Sequence, residues 1–227
     1  MASDLAARVA EVRERIRAAA PDPDRVTLVA VTKGFGAEVV RDALAAGLAD
    51  IGESYVQELV AKADELAGDP GPAGSEPPRW HAIGRLQRNK VRKAAPHVAL
   101  WHSVDRLALG AAIARVAPGA AVLVQVNVAG EATKGGCEPA EAPALVDGLR
   151  DCGLDVRGIM AMAPAGPPEG ARPVFDAARE LRDRLGLSEA SMGMTDDYEV
   201  ALSEGATIVR VGRGLFGPRP LEGGARH

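Results

Sequence analysis

The sequence has few cysteines and few aromatic residues, and both shortages narrow the range of folds. Its 227 residues include two cysteines, Cys137 and Cys152. Two are too few for a disulfide framework, and their spacing is not that of a zinc site. We therefore expect two reduced thiols in a cytoplasmic protein. Three Phe, two Trp and two Tyr leave a core that must be built mainly from Val, Leu, Ile and Ala.

Long apolar runs and a strong net charge are also missing. No run approaches the roughly 18 residues that span a bilayer, and the charged N-terminal segment MASDLAARVAEVRERIR is not expected to be a signal peptide. A net charge of −4 argues against general affinity for nucleic acid or membranes. The one charge run, Arg85–Lys93, has five cations in nine residues without interleaved aromatics, and we interpret it as a solvated helix face.

What the chain does have is a regular alternation between two kinds of segment. Short apolar runs typical of buried strands alternate with segments whose apolar residues have helical spacing. The interval from 26 to 207, divided into seven repeats, is about 26 residues per unit, as in a small (β/α)8 barrel. The eight predicted strands are VTLVAVTK (26–33), DIGES (50–54), WHAIGR (80–85), LWHSVD (100–105), AVLVQVN (121–127), VRGIMAM (156–162), EASMGM (189–194) and TIVRVG (207–212).

We therefore predict an α/β protein with a single TIM-type (β/α)8 barrel domain over 1–227. An extra N-terminal helix within 1–24 is expected to pack on the barrel, with a short tail over 218–227. The Pro/Gly-rich stretch at 68–78 is interpreted as a surface loop. The alternative is a doubly wound open sheet, which usually has fewer strands and a glycine-rich turn after the first one. Here the first strand ends in Thr-Lys-Gly-Phe instead.

Lys33 is the most informative single residue. The chain has only five lysines, and the other four are predicted on helix surfaces or in a loop: Lys62, Lys90, Lys93 and Lys134. Lys33 instead ends an aliphatic strand and points the same way as Val29 and Val31. A lysine desolvated in this way is a usable nucleophile toward carbonyl groups. The alternative is a strand-end lysine that extends into solvent.

The last strand and its following turn suggest an anion site. Arg210 is a charge within the aliphatic strand Ile208–Val211, so its guanidinium needs an acceptor; a structural ion pair is the alternative role. The segment VGRGLFG (211–217) places two glycines directly after this strand, where barrels often bind phosphate. Ser191 could add a hydroxyl donor. A nucleophilic lysine beside a phosphate site fits a phosphorylated aldehyde.

Other polar residues are scattered singly at the predicted strand ends: Glu53, Ser54, His81, His102, Asp105 and Asn127. Nothing among them has the spacing of zinc or magnesium ligands, so no metal is expected. A Ser/His/Asp triad has no support in their arrangement.

Several motifs together resemble a known family: AVTKGF, IGESYVQE, WHAIGRLQRNK, HSVDR, VLVQVNV, SMGMTDD and TIVRVGRGLFG. In order and spacing they are similar to the YggS/PROSC family of pyridoxal 5′-phosphate (PLP) homeostasis proteins, over roughly residues 25–217. Members resemble the barrel domain of alanine racemase, which is PLP fold type III.

The resemblance implies a role for each matching residue. Lys33 would form the Schiff base with PLP, and Arg210 would face the pyridine nitrogen. Ser191, Gly212 and Arg213, the last mainly through its backbone, would hold the phosphate. The weaker candidates for contact with the cofactor are Ser54, His81, Asn127 and Met192.

Three positions depart from the family pattern. Ser54 stands where the family usually has asparagine, and Arg85 where proline is usual. Gly212-Arg213-Gly214 replaces a commoner Gly-Thr-Ala, which affects side-chain contacts to the phosphate but not backbone contacts. None of the three removes the lysine.

The resemblance favours a cofactor carrier over an enzyme. A racemase needs two positioned acid/base groups; in alanine racemases the second is a tyrosine beside a C-terminal β domain. Only ten residues follow Gly217, so we expect no such domain here. The two tyrosines, Tyr55 and Tyr198, lie at predicted helix starts, and neither can be assigned as the second base. An arginine at the pyridine nitrogen also makes the ring a poor electron sink.

The sequence therefore predicts a monomeric, cytoplasmic protein that binds PLP reversibly and supplies it to apo-enzymes, with no nucleic-acid or membrane partner. Two alternatives remain open. One is a PLP-dependent amino-acid racemase of low activity, and the other is a lysine Schiff-base aldolase that works without PLP.

Overall fold

The computed structural model describes residues 2–69, 71–72, 74–131 and 135–218, and within them eight parallel strands close into a barrel. Each strand pairs with its neighbours in sequence, and the last pairs with the first. The strands are β1 Thr27–Val31, β2 Asp50–Glu53, β3 Arg79–Ala82, β4 Val98–Val104, β5 Ala121–Gln125, β6 Asp155–Met160, β7 Glu189–Met194 and β8 Ile208–Val211.

Helices connect the strands on the outside. They are α1 Ala2–Ala19, α2 Ala37–Ala45, α3 Val56–Glu65, α4 Arg88–Ala94, α5 Leu107–Val116, α6 Ala142–Asp151, α7 Arg172–Arg184, α8 Tyr198–Ser203 and α9 Arg213–Phe216. Short 3-10 turns occur at Pro23–Arg25 and Pro168–Ala171. The predicted barrel class is confirmed. None of the helices in the described ranges is both long and apolar enough to cross a bilayer.

The strands are buried on both faces, which explains their near-continuous apolar runs. Alternate residues point into the barrel and form a small aliphatic cluster that includes Val29, Leu123 and Ile208. The other face packs against the helices in a larger cluster that contains Trp101 and Phe175. Both tryptophans, Trp80 and Trp101, thus lie in the outer layer, while the barrel interior combines the aliphatic cluster with buried polar residues.

The strands end slightly earlier than the apolar pattern predicts. β1 ends at Val31, so Lys33 lies in the turn that follows rather than on the strand. Ser54, Asn127 and Gly212 likewise follow their strands. Because the carboxyl ends of parallel strands meet at one face of a barrel, these residues all lie around the same opening.

The N-terminal helix covers one side of the barrel. Leu5, Val9, Val12 and Ile16, predicted to share one face, are all buried, and α1 packs mainly against α8 and α9. The Arg8 guanidinium also donates a hydrogen bond to the carbonyl oxygen of Leu215 in α9, at 3.2 Å. α1 therefore helps to fix the short helix that follows β8.

Parts of three predicted segments lie outside the described residues. These are residues 70 and 73 of the loop at 68–78, Lys134, and residues 219–227 of the tail.

Close contact between the loops after β2 and β3 gives a test of the packing. A Cβ atom at Gly84 would overlap the backbone carbonyl of Ser54, which has no room to move. We expect Gly84→Ala to lower the free energy of unfolding by about 2 kcal/mol, measured by urea denaturation. The control is Gly166→Ala, because nothing lies within 4 Å of a Cβ atom there. Equal stabilities of the two variants would contradict this account.

Candidate functional site

Lys33 and the turn after β8 share one cavity. It has a volume of about 330 Å3 and lies where the carboxyl ends of β1 and β8 meet. Its lining residues are Val31, Lys33, Phe35, Gly212, Arg213, Gly217 and Pro218. The Lys33 side chain is partly exposed, and among the described residues it forms no ion pair with a carboxylate. Two features that the sequence suggested separately therefore belong to the same site.

The glycines after β8 allow its turn to approach β1 closely. A Cβ atom at Gly212 would lie 3.2 Å from the carbonyl oxygen of Val31, and one at Gly214 would lie 3.0 Å from Val211 Cγ1. Gly212 and Arg213 stand at the start of α9. Within the described ranges, their backbone N–H groups donate to no carbonyl oxygen of a turn or loop. Backbone donors at such a position are suited to an anion.

Thr195 is a residue that the sequence analysis missed at this turn. It directly follows β7, and its Oγ1 accepts a hydrogen bond from the Gly214 N–H at 3.3 Å. Its position after the SMGM segment, at a strand end, was the available signal. The hydroxyl beside the glycine turn is thus that of Thr195.

The Arg213 side chain turns away from the cavity's backbone donors. Its guanidinium forms an ion pair with Asp196, and both side chains are exposed to solvent. Only the backbone of Arg213 is left to serve a ligand. Phe35 and Phe216, whose ring centroids lie 5.8 Å apart, close the same side of the site.

Arg210 and Ser191 lie deeper, inside the barrel. Arg210 is two residues before Gly212 on β8, so its side chain occupies the level directly beneath the cavity. The buried guanidinium donates to Ser191 Oγ at 2.5 Å and to the carbonyl oxygen of Ala161 at 3.2 Å. Among the described residues no carboxylate pairs with it. Burial lowers the pKa of Arg210 to about 10, so it stays charged at neutral pH.

Two histidines continue this interior network. His102 Nδ1 lies 2.9 Å from Ser191 Oγ, and its Nε2 lies 2.8 Å from His81 Nδ1. Burial, with a smaller effect from the neighbouring His81 and Arg210, holds the pKa of His102 well below its usual value. His81, predicted as a weaker cofactor contact, therefore lies among interior side chains.

The remaining weaker candidates lie elsewhere. Ser54 directly follows β2 in sequence; it is half-buried, and its backbone packs against Gly84. The Asn127 side-chain amide donates to the carbonyl oxygen of Glu131 at 3.0 Å and so holds its own loop. Met192 is buried in the outer cluster, on the opposite face of β7 from Ser191. Their roles toward a cofactor stay predictions.

Lys62 corrects an expectation about the lysines. It was predicted on a helix surface but is buried, because α3 packs its face against the ends of β1 and β2. Its Nζ donates to Glu53 Oε1 at 2.5 Å and to the carbonyl oxygen of Thr32 at 2.8 Å. Thr32 Oγ1 donates to the same Glu53 oxygen at 2.6 Å.

This buried ion pair supports the turn that carries Lys33. Thr32 is the residue before Lys33. Lys62 holds its backbone carbonyl, and Glu53 holds its side-chain hydroxyl. On the other side, the Gly34 N–H donates to Glu58 Oε2 at 2.8 Å. Burial raises the pKa of Glu53, although Lys62 and Thr32 oppose the shift. The alternative amine of Lys62 is thus already committed within the protein.

Comparisons with known proteins agree on one family. Residues 3–220 match the alanine racemase N-terminal domain family. A protein of Pseudomonas aeruginosa named pyridoxal phosphate homeostasis protein is 43% identical over 227 residues, covering 96% of each chain. One of the same name from Deinococcus radiodurans is 43% identical over 214 residues, covering 92% of this chain and 97% of its own.

A solved structure is similar over almost the same range. PipY of Synechococcus elongatus, with PLP bound, is 35% identical, with a TM-score of 0.81. The match covers 94% of this chain and 100% of PipY.

The buried ion pair can be tested by removing its cation. We expect Lys62→Met to lower the free energy of unfolding by about 3 kcal/mol, because the Glu53 carboxylate is left buried without its partner. Adding Glu53→Gln to this variant should restore most of the loss. The control is Lys93→Met on exposed α4, with an expected change below about 0.5 kcal/mol. Chemical denaturation measures all three, and a stable Lys62→Met protein would contradict the assignment.

Proposed function

This chain belongs to the alanine racemase N-terminal domain family, as one of its pyridoxal phosphate homeostasis proteins, and we propose that it holds PLP through Lys33. The resemblance expected from its motifs is confirmed by relatives of 43% identity. One observation carries the site assignment: Lys33 and the Gly212–Gly214 turn line the same cavity.

The residues around this cavity fit the cofactor. PLP supplies an aldehyde that condenses reversibly with a primary amine, and a phosphate that needs hydrogen-bond donors. Lys33 offers a partly exposed amine with no carboxylate partner among the described residues. The N–H groups of Gly212 and Arg213 orient the phosphate, with Thr195 as the nearby hydroxyl.

Arg210 sets the electronic character of the site. From the level beneath the cavity, its guanidinium would offer the ring nitrogen a hydrogen-bond donor and a positive charge. Because protonation of the ring nitrogen is disfavoured next to this charge, the ring would be a weak electron sink. Ser191 is a partner of Arg210 here, and its contribution to phosphate binding is indirect.

A carrier role is favoured over catalysis of amino-acid chemistry. The relatives are named homeostasis proteins rather than enzymes. Burial raises the pKa of Tyr198, whose neighbours are Arg15 and Glu11 of α1, on the outside of the barrel. Its hydroxyl is therefore poorly placed to serve as a second acid/base group opposite Lys33.

In cellular terms, the protein limits free PLP and delivers it to apo-enzymes. It acts in the cytoplasm, where its two free cysteines, Cys137 and Cys152, stay reduced. A monomer is favoured because the large exposed apolar side chains, such as Tyr55 and Leu107, are few among the described residues.

The attachment site can be tested directly. Purified protein incubated with PLP should be yellow, and borohydride should leave a pyridoxyl group on the Lys33 peptide, detected by mass spectrometry. Lys33→Ala should lose this adduct and at least about 90% of the bound PLP, because Lys33 is the one lysine that lines the cavity among the described residues. Lys90→Ala, on exposed α4, should bind normally. Stoichiometric PLP in Lys33→Ala would overturn the assignment, and a native protein without PLP would favour the aldolase.

Transfer distinguishes the carrier from the racemase. The PLP-loaded protein should restore activity to an apo-aminotransferase, and the Lys33→Ala protein, treated identically, should not. Incubation with a single enantiomer of alanine should leave its optical rotation unchanged. Rapid racemisation by the loaded protein would contradict the carrier role and support the enzyme.

A further inference from the structure

A chain of hydrogen-bonded side chains crosses the barrel interior from one end to the other. At the N-terminal end, Asp50 Oδ1 lies 3.0 Å from His81 Nε2. His81, His102 and Ser191 follow at 2.8 and 2.9 Å, and Arg210 donates to Ser191 at the far end. These five residues come from β2, β3, β4, β7 and β8; we refer to them as the interior relay.

The two ends of the relay determine where its protons lie. Arg210 can only donate, so Ser191 Oγ accepts from it. At the other end, Arg79 and His81 hold the pKa of Asp50 at about 2 against the effect of burial, so its ionised carboxylate can only accept. The proton on His81 Nε2 therefore points to Asp50.

The remaining directions follow from the Ser191 hydroxyl, because within the relay its own proton has only His102 Nδ1 as an acceptor. His81 Nδ1 is bare and accepts from His102 Nε2–H. His102 Nδ1 is then bare and accepts the hydroxyl proton of Ser191. All donors thus point from Arg210 towards Asp50. The Ser191 proton is used within the relay and is not free for a phosphate.

We propose that the interior relay positions Arg210: Asp50, His81, His102 and Ser191 hold its guanidinium at the level of the cofactor ring. They are positioning residues, since none of them lines the cavity of Lys33. The inference rests on the proposed function for the identity of the cofactor. The relay itself is a property of the protein without a ligand.

The opposite proton arrangement would leave the Ser191 hydroxyl proton without an acceptor in the relay. A protonated His81 would donate to His102 as well as to Asp50, and His102 would then donate to Ser191. Ser191 would receive two donors, and its own proton would have no acceptor in the relay. The charged groups that face the relay are Asp50 and Arg79 at one end, and Arg210 with the nearby Asp197 at the other.

A metal site is the rival explanation for two histidines and an aspartate. Among the described residues, no group of three or more His, Cys, Asp or Glu side chains is arranged to hold a metal ion. Each ring nitrogen of His81 and His102 already has a hydrogen-bond partner within the relay. The linear arrangement thus favours hydrogen bonding over coordination.

The relay has a solvent end at the opposite opening of the barrel from Lys33. Asp50 and Arg79 line a cavity of about 780 Å3 between α1 and the N-terminal ends of the strands. Asp50 keeps 16% of its side chain exposed there. The chain of donors therefore begins at buried residues beneath the cavity of Lys33 and ends at a partly exposed carboxylate.

Breaking the relay should change the bound cofactor without touching its cavity. We expect Ser191→Ala and His102→Leu each to raise the Kd for PLP about tenfold and to shift the absorption maximum of the bound cofactor, because Arg210 loses its orientation. Ser191→Thr keeps the hydroxyl and should retain the native absorption maximum. His97→Leu, a histidine on the outside of the protein, is the matched control and should match the native protein in both readouts.

A second variant separates hydrogen bonding from bulk. His81→Gln offers an amide oxygen to His102 and an amide N–H to Asp50, and should keep the Kd within about twofold of native. His81→Leu removes both bonds and should behave like His102→Leu. The positioning role would be overturned if both Ser191→Ala and His102→Leu had the native Kd for PLP and the native absorption maximum. If His102→Leu does not fold, the result for Ser191→Ala decides.

Nitrogen-15 NMR of the histidines tests the relay without any cofactor. In the ligand-free protein, His81 and His102 should each carry a proton on Nε2 and none on Nδ1. A proton on Nδ1 of His102 would overturn the assigned direction. If the native protein bound no PLP, the proposed function would fail. The NMR measurement would still show whether the hydrogen bonds of the relay have the assigned direction.

Discussion

The pairing of β8 with β1 is the interaction on which the site depends. It aligns Thr27 with Ile208 and Ala30 with Val211, and so joins the two ends of the chain. Gly212 directly follows the last pair of this ladder, and Lys33 lies three residues beyond it. A site of this kind does not exist in any partly closed sheet, because its two halves meet only when the last strand has docked.

Much of this arrangement follows from sequence pattern. Alternating periods predict eight strands, and the lysine and the glycine turn stand out because each breaks the character of its strand. The burial of Lys62 was not predictable, because helical spacing alone does not say that its face meets Glu53. The contact between His81 and His102 depends on strand register, which local pattern does not encode.

The barrel treats its buried charges in two ways. Glu53 and Lys62 neutralise each other beneath the turn of Lys33. Arg210 is instead joined by a chain of hydrogen bonds to a distant carboxylate, and among the described residues no carboxylate forms an ion pair with it. Under the proposed function, a carboxylate in its place would make the ring nitrogen of PLP more basic, whereas the arginine would favour holding the cofactor over activating it.

The position of Lys33 beyond the end of β1 has a kinetic consequence. Because its side chain belongs to a turn, losing a bound aldehyde breaks no hydrogen bond of the β1 ladder. Under the proposed function, release would therefore depend on exchange with another amine or with water and not on an opening of the fold. The residence time of the cofactor would then respond to the amines around the protein while the barrel stays intact.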